Sequence, residues 1–124
     1  MQIALYPTQE QIQTLLADPS DGPVVMLNLL RFKPGGEPAY LRYADAMRKL
    51  VESRGGRFVW SGRVTSQVIG AGGEGFEVVG LVEYPSRKAF VEIATSPEVA
   101  KIGVDRSAGL EGQWLLATTA TPVF

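Results

Sequence analysis

The chain has 124 residues, of which twelve are basic and thirteen acidic, for a formal net charge of -1, so its overall charge draws it neither to nucleic acid nor to an anionic membrane. Cysteine and histidine are both absent, which excludes disulfides, thiolate nucleophiles and cysteine or histidine metal sites and leaves any chemistry to carboxylates, Tyr, Lys, Arg and amides. With 45% hydrophobic and 20% charged residues, the composition is that of one ordinary globular domain, no run approaches the roughly 18 apolar residues of a spanning helix, and the first residues carry no signal-peptide pattern, so a cytoplasmic protein is expected.

In chain order, Thr8 with Gln11 three residues later forms a capping-box pattern, and Ile12, Leu15 and Leu16 continue it as a short apolar stripe. Residues 1–23 therefore read as a helical extension, and residues 24–124 as the domain proper. Residues 24–30 alternate apolar side chains on both faces, Val24, Met26 and Leu30 against Val25, Leu27 and Leu29, so this strand is expected to be central and covered twice. Residues 38–54 place Tyr40, Ala44, Met47, Leu50 and Val51 at helical spacing, with charged residues on the opposite side, and Gly55-Gly56 ends the helix.

A strand pair is expected over 57–69 and 76–84, the first with Phe58, Trp60, Gly62 and Val64 on one face, the second with Phe76, Val78, Gly80, Val82 and Tyr84 opposed to Glu77, Val79, Leu81 and Glu83. Between them, Gly70-Ala71-Gly72-Gly73-Glu74-Gly75 matches the spacing of a dinucleotide fingerprint. A strand, not a helix, follows it, so no helix N-terminus stands ready for a pyrophosphate and the segment reads as a hairpin loop. Ser86 can cap a helix over 87–94, Ser96-Pro97 opens another, and residues 113–119 form the last strand. The order is βαββαβ. It is shared with the RNA-recognition motif, but Val78 and Gly80 stand where stacking rings would be needed and the chain is acidic, so nucleic-acid binding is not expected.

Two main helices cover one face of a four-stranded sheet and leave the other to be covered. Val25, Leu27 and Leu29 together with Trp114-Leu115-Leu116-Ala117 make that face apolar, so a second copy is expected to pack sheet against sheet, burying roughly 800 Å² per subunit.

Gly55-Gly56-Arg57-Phe58, Glu83-Tyr84-Pro85-Ser86-Arg87-Lys88-Ala89-Phe90, Thr95-Ser96-Pro97-Glu98 and Arg106, with Asn28 and Arg31 closing the first strand, resemble the DUF1330 family. The resemblance runs from about Val24 to the C-terminus and implies a ferredoxin-like α+β subunit of a dimeric α+β barrel, with no particular activity attached. Several longer members carry a histidine before the arginine that matches Arg106. Asp105 stands there in this chain, so a reaction relying on that imidazole is not expected.

The candidate ligand residues are Asn28, Tyr43, Trp60, Glu83 and Arg106. Asn28 is a lone amide in an apolar strand, and a buried amide demands partners. Tyr43, Trp60 and also Tyr84 combine apolar bodies with polar tips suited to pocket walls. Glu83 could exchange a proton if desolvated, or could pair with Arg63 or Arg106. Arg106 suits a carboxylate or phosphate, or else a salt bridge to Asp105, Glu83 or Glu98. The resulting expectation is a homodimer binding a small carbonyl-bearing or anionic organic molecule between sheet and helices, without metal or cofactor. Relatives by fold add cofactor-independent proton-transfer or oxygenation chemistry as an analogy. The alternative is a non-catalytic module that serves assembly or partner binding, its polar residues being structural.

Overall fold

The computed structural model describes residues 2–123. Its elements are α1 (Gln9–Ala17), β1 (Val24–Phe32), α2 (Glu37–Ser53), β2 (Arg57–Arg63), β3 (Val78–Tyr84), α3 (Arg87–Ala94), α4 (Pro97–Gly109) and β4 (Leu110–Thr118), with a single 3₁₀ turn at Gly73–Gly75. The four strands form one antiparallel sheet in the order β2-β3-β1-β4, the ferredoxin-like arrangement.

Three of the four helices, α1, α3 and α4, begin where a side chain satisfies a free backbone N–H, whereas α2 starts at Gly36 without a side-chain cap and with a proline in its first turn. The Thr8 hydroxyl accepts from Gln11 N while the Gln11 side chain accepts from Thr8 N, a complete capping box. Ser86 and Ser96 accept from Ala89 N and Val99 N. At the other end of α2, Gly55 takes a φ of +86°, which a side-chain-bearing residue adopts only with strain.

The core lies between helices and sheet. Val24, Met26, Val82, Tyr84, Met47, Val51 and Ile93 pack in one cluster, while Leu30, Phe32 and Leu110 form a second that receives Leu5 and Tyr40. In β1 the residues facing the helices are buried, whereas Val25, Leu27 and Leu29 on the other face are only half-buried. Within the chain, the strand expected to be covered twice is covered once. On that open face Trp114 and Leu116 of β4 flank Leu29 and Leu27, and both are exposed.

Two boundaries differ instructively from the sequence expectation. The strand expected to run to residue 69 stops at Arg63, and its partner starts at Val78 instead of Phe76. Val64 N still donates to Glu77 O at 3.0 Å, but Glu77 N donates to Leu30 O at 2.7 Å and Phe32 N donates to the Glu77 carboxylate at 3.2 Å. Residues 76 and 77 are thus drawn to the end of β1, and the buried Phe76 ring packs 5.1 Å from that of Trp114. A β-bulge between Phe58 and Trp60 then breaks the simple alternation of β2: Ser61 pairs with Gly80, and Arg63 with Val78.

Three contacts tie the ends together. Residues 2–5 run beside β4: Ala4 and Gln113 exchange backbone hydrogen bonds, and the Trp114 indole N–H donates to Gln2 O at 2.7 Å. The buried Arg87 guanidinium donates to Thr119 Oγ1 and to Ser20 O, joining the C-terminal segment to the loop before β1. The start of α2 meets the end of α4 backbone to backbone, where a Cβ on Gly109 would collide with Gly36 O and Tyr40 N.

Candidate functional site

A cleft of about 300 Å³ opens between α2 and the helix-covered face of the sheet, within the size range of small-molecule sites. Its floor is made by alternate residues of β1 and β3, among them Asn28, Leu30, Val78, Gly80 and Val82; its roof is the Tyr40, Tyr43, Ala44 and Met47 face of α2. The floor is open because Gly80 stands opposite Asn28 in the ladder. A Cβ there would meet nothing closer than about 4.0 Å, the Asn28 Cβ and Trp60 O. Phe58, Ser61 and the backbone of Trp60 form the outer wall; the bulge pairs Trp60 with Leu81 and Gly62 with Val79, so the Trp60 ring, 59% exposed, turns to the open face and lies across Gly62.

Tyr40, Tyr43 and Tyr84 all line this cleft. Tyr40 and Tyr43, three apart on one helical face, have ring centroids 5.4 Å apart, and Tyr40 also packs on Phe32. Burial pushes the hydroxyls of all three tyrosines above the ordinary value of 10.0, and the neighbouring phenols push Tyr40 and Tyr84 the same way, whereas the Arg106 charge pulls Tyr40 and Tyr43 back slightly. The phenols are therefore neutral at physiological pH. No hydrogen bond within the described residues engages the three hydroxyls, and none of them is a sealed, unsatisfied group, so the cleft holds donors open to a ligand or to water.

Behind the floor runs a chain of side-chain hydrogen bonds. Arg106 Nη2 donates to Gln113 Oε1 at 3.0 Å, and Gln113 Nε2 donates to Asn28 Oδ1 at 3.3 Å. Asn28 Nδ2 then donates to Met26 O at 3.3 Å and to Gly80 O at 3.4 Å, both long. On its outer side the Arg106 guanidinium lies 5.4 Å from the centroid of the Tyr6 ring, a cation-π placement.

Of the five residues singled out by the sequence, Asn28 and Tyr43 line the cleft, while Trp60 meets it through its backbone and the bulge turns its ring to the open face beside Leu81. Arg106 reaches it only through Gln113, and makes neither of the expected salt bridges to Asp105 or Glu98; those carboxylates pair with Arg42 and Arg54. Glu83 is placed elsewhere. Its neighbour Tyr84 faces the helices, so strand alternation turns Glu83 to the open face, where Arg57 Nε donates to it at 2.9 Å. Arg63 does not pair with it either: Arg63 meets Glu37 at 2.6 Å across the mouth of the cleft, with Glu37 the only carboxylate among the lining residues.

Sequence reasoning missed Gln113 and the Glu37–Arg63 pair. Gln113 is the one polar residue in β4 that falls opposite Leu30, on the face where only core residues were sought. Among the described residues, no group of three or more acidic side chains is placed to hold a metal ion, and no helix is long and apolar enough to cross a membrane.

Residues 29–120, well over half of the chain, match the family described as a domain of unknown function, DUF1330. Among solved structures, the RPA0582 protein of unknown function from Rhodopseudomonas palustris is 31% identical, with a TM-score of 0.85 over 98% of this chain and 100% of that one. Below the identity at which more than fold is shared, a dimeric ferredoxin-like protein of unknown function from Jannaschia sp. CCS1 aligns with a TM-score of 0.61 at 13% identity, over 80% of this chain and 100% of that one. SnoaB, a cofactor-independent oxygenase from Streptomyces nogalater, aligns with a TM-score of 0.56 at 14% identity, over 82% and 96%. A search of curated proteins gives no match. With a family match of this span and a relative aligned over its whole length, the chain belongs to the DUF1330 family.

Proposed function

We propose that this protein is a homodimer whose cleft binds a small organic compound through a carbonyl or anionic oxygen, and that the site suits cofactor-independent chemistry in which negative charge develops on that oxygen. The observation that carries the reading is the set of unpartnered phenols of Tyr40, Tyr43 and Tyr84 in one mostly apolar cleft. Neutral donors held in a mostly apolar cleft stabilise an oxyanion better than bulk water does, to the extent that they are already oriented when the charge appears. Arg106 adds positive potential from behind, and Phe58, Met47 and Val82 supply apolar walls for the body of the ligand.

Support for the dimer is the open apolar face, where Val25, Leu27, Leu29, Val79, Leu81, Trp114 and Leu116 lie side by side, since a contiguous patch of this kind marks an interaction surface. The Jannaschia neighbour is described as dimeric. Support for chemistry without a cofactor is the same fold in SnoaB, which bears on the fold's capacity and not on this substrate.

Native mass spectrometry of the gently purified protein tests both parts together. A dimer that carries or takes up one small organic acid or ketone per subunit is the expected result. A monomer would overturn the sheet-to-sheet pairing. Binding that survives Gly80→Val, which adds a branched side chain to the floor, would overturn the cleft as the site; the substitution is expected to abolish uptake while the fold persists, because the position has room for the first atom.

A further inference from the structure

The chain Arg106–Gln113–Asn28 has a direction, and the direction is fixed at both ends. A guanidinium can only donate, so the Gln113 end that faces Arg106 at 3.0 Å must be its oxygen. Gln113 therefore presents Nε2 to Asn28, and Asn28 must answer with Oδ1. At the far end, the carbonyls of Met26 and Gly80 can only accept, which again demands the Asn28 nitrogen on that side. Neither amide can be turned over without opposing two like groups.

The backbone of Gln113 is held as well. Its N–H donates to Ala4 O at 3.0 Å and its carbonyl accepts from Ala4 N at 3.4 Å. The segment that holds it lies outside the family match, which begins at residue 29. Arg106 in turn is bracketed by Gln113 and the Tyr6 ring. The N-terminal segment thus braces both members of the chain that never touch the cleft.

We infer that Arg106 and Gln113 are positioning residues that set the hydrogen-bonding polarity of Asn28, so that its carboxamide turns its N–H end toward Gly80 and the cleft and its oxygen toward Gln113, and the site selects a ligand oxygen over a ligand N–H. This deepens the proposed function and rests on its reading of the cleft. Asn28 has two N–H bonds, and its contacts with Met26 and Gly80 are long at 3.3 and 3.4 Å, so a well-placed ligand oxygen competes for them favourably. The hydroxyls of Tyr40 and Tyr43 on α2 add further donors to the same cleft. A ligand that offered a donor there would face N–H groups and leave its own N–H unmet, a loss greater than that of a single ordinary bond.

The test uses two aromatic probes of equal size: acetophenone, which only accepts, and indole, which only donates. Binding is followed by isothermal calorimetry on the full chain. The wild type is expected to favour acetophenone by about tenfold. Gln113→Glu keeps an acceptor toward Arg106 but turns a second acceptor toward Asn28, and a charged acceptor outcompetes two long carbonyl contacts. Asn28 then turns over, and the preference reverses to indole. Gln113→Leu removes the chain, and the two probes become nearly equal.

An unchanged preference for acetophenone in Gln113→Glu, with an unchanged melting temperature, would overturn the inference. An independent readout is the nuclear Overhauser contact between the Asn28 side-chain amide protons and the Gly80 backbone. It should be present in the wild type and lost in Gln113→Glu, and its persistence in the variant would overturn the inference regardless of binding. If neither probe binds the wild type, the reading of the cleft as a ligand site fails, while this contact still decides the orientation of Asn28.

Discussion

The two faces of the sheet are built from the same kinds of residue and meet different fates. Along β1 the helix-covered positions Val24, Met26, Leu30 and Phe32 are at most 6% exposed, whereas Val25, Leu27 and Leu29, equally apolar, are left half-open. Composition does not separate the faces; what packs on them does. The covered face also tolerates a polar group, Asn28, because Gln113 and two carbonyls satisfy it. The open face carries its charged pair, Arg57 and Glu83, at one end of the apolar patch. One face encloses the cleft, and the other leaves its apolar side chains half-open.

Adjacent residues of β1 break this comparison most sharply. Met26→Ala, at a position 2% exposed in the main core, should destabilise the fold by about 3 kcal/mol, seen as a lowered denaturant midpoint. Leu27→Asp, one residue away, should leave the monomer folded but weaken self-association by about a hundredfold, because a charge is forced into an apolar interface. Sedimentation equilibrium measures it, and an unaltered dimer would move the interface to another surface.

The tyrosines of the covered face sharpen the comparison by pH. Since the pKa values of Tyr40, Tyr43 and Tyr84 are raised above 10.0 in the fold, the native chain keeps phenolic protons that the unfolded chain surrenders. The unfolded state then binds fewer protons, and stability falls with rising pH. It is fully present below about pH 10 and is lost as the pH climbs from there toward the folded values. Thermal melts across this window, with phenolate absorbance followed in parallel, should show ionisation of these tyrosines coinciding with unfolding.

The smallest effect belongs to the open face. Glu83→Gln breaks an ion pair whose Arg57 side chain is 64% exposed and should cost no more than about 1 kcal/mol. It should leave ligand uptake unchanged while Asn28→Ala weakens it. Equal losses in the two variants would contradict the assignment of Glu83 to the far side of the sheet.

Much of the fold was legible because its signals are local. The Thr8–Gln11 box, the serines at 86 and 96, and the helical recurrence of Met47 and Val51 each depend on neighbours within a few residues. The ends of β2 and β3 were not legible, since what stops them is Glu77 bonding to Leu30 and Phe32, more than forty residues away in sequence. The same contrast holds for the site. Asn28, Tyr43 and Trp60 could be singled out one by one, but the convergence of Tyr40, Tyr43 and Tyr84 needs α2 laid over β3, and Gln113 gains its importance only from β4 pairing with β1. Glu83 is the instructive case. The alternation that places Tyr84 toward the helices already turns Glu83 away.

The meeting of Gly36 and Gly109 has a kinetic consequence for the cleft. There the turn after β1 is stapled to the corner after α4: Lys33 N donates to Gly109 O at 2.9 Å and Lys33 Nζ to Ser107 O at 2.7 Å, and no side chain separates the two backbones. The first turn of α2 is riveted to the far edge and cannot lift. A ligand of the proposed kind would then enter on the β2 side, past the Glu37–Arg63 pair. That doorway, more than the tyrosine-lined interior, would set how fast the proposed ligand comes and goes.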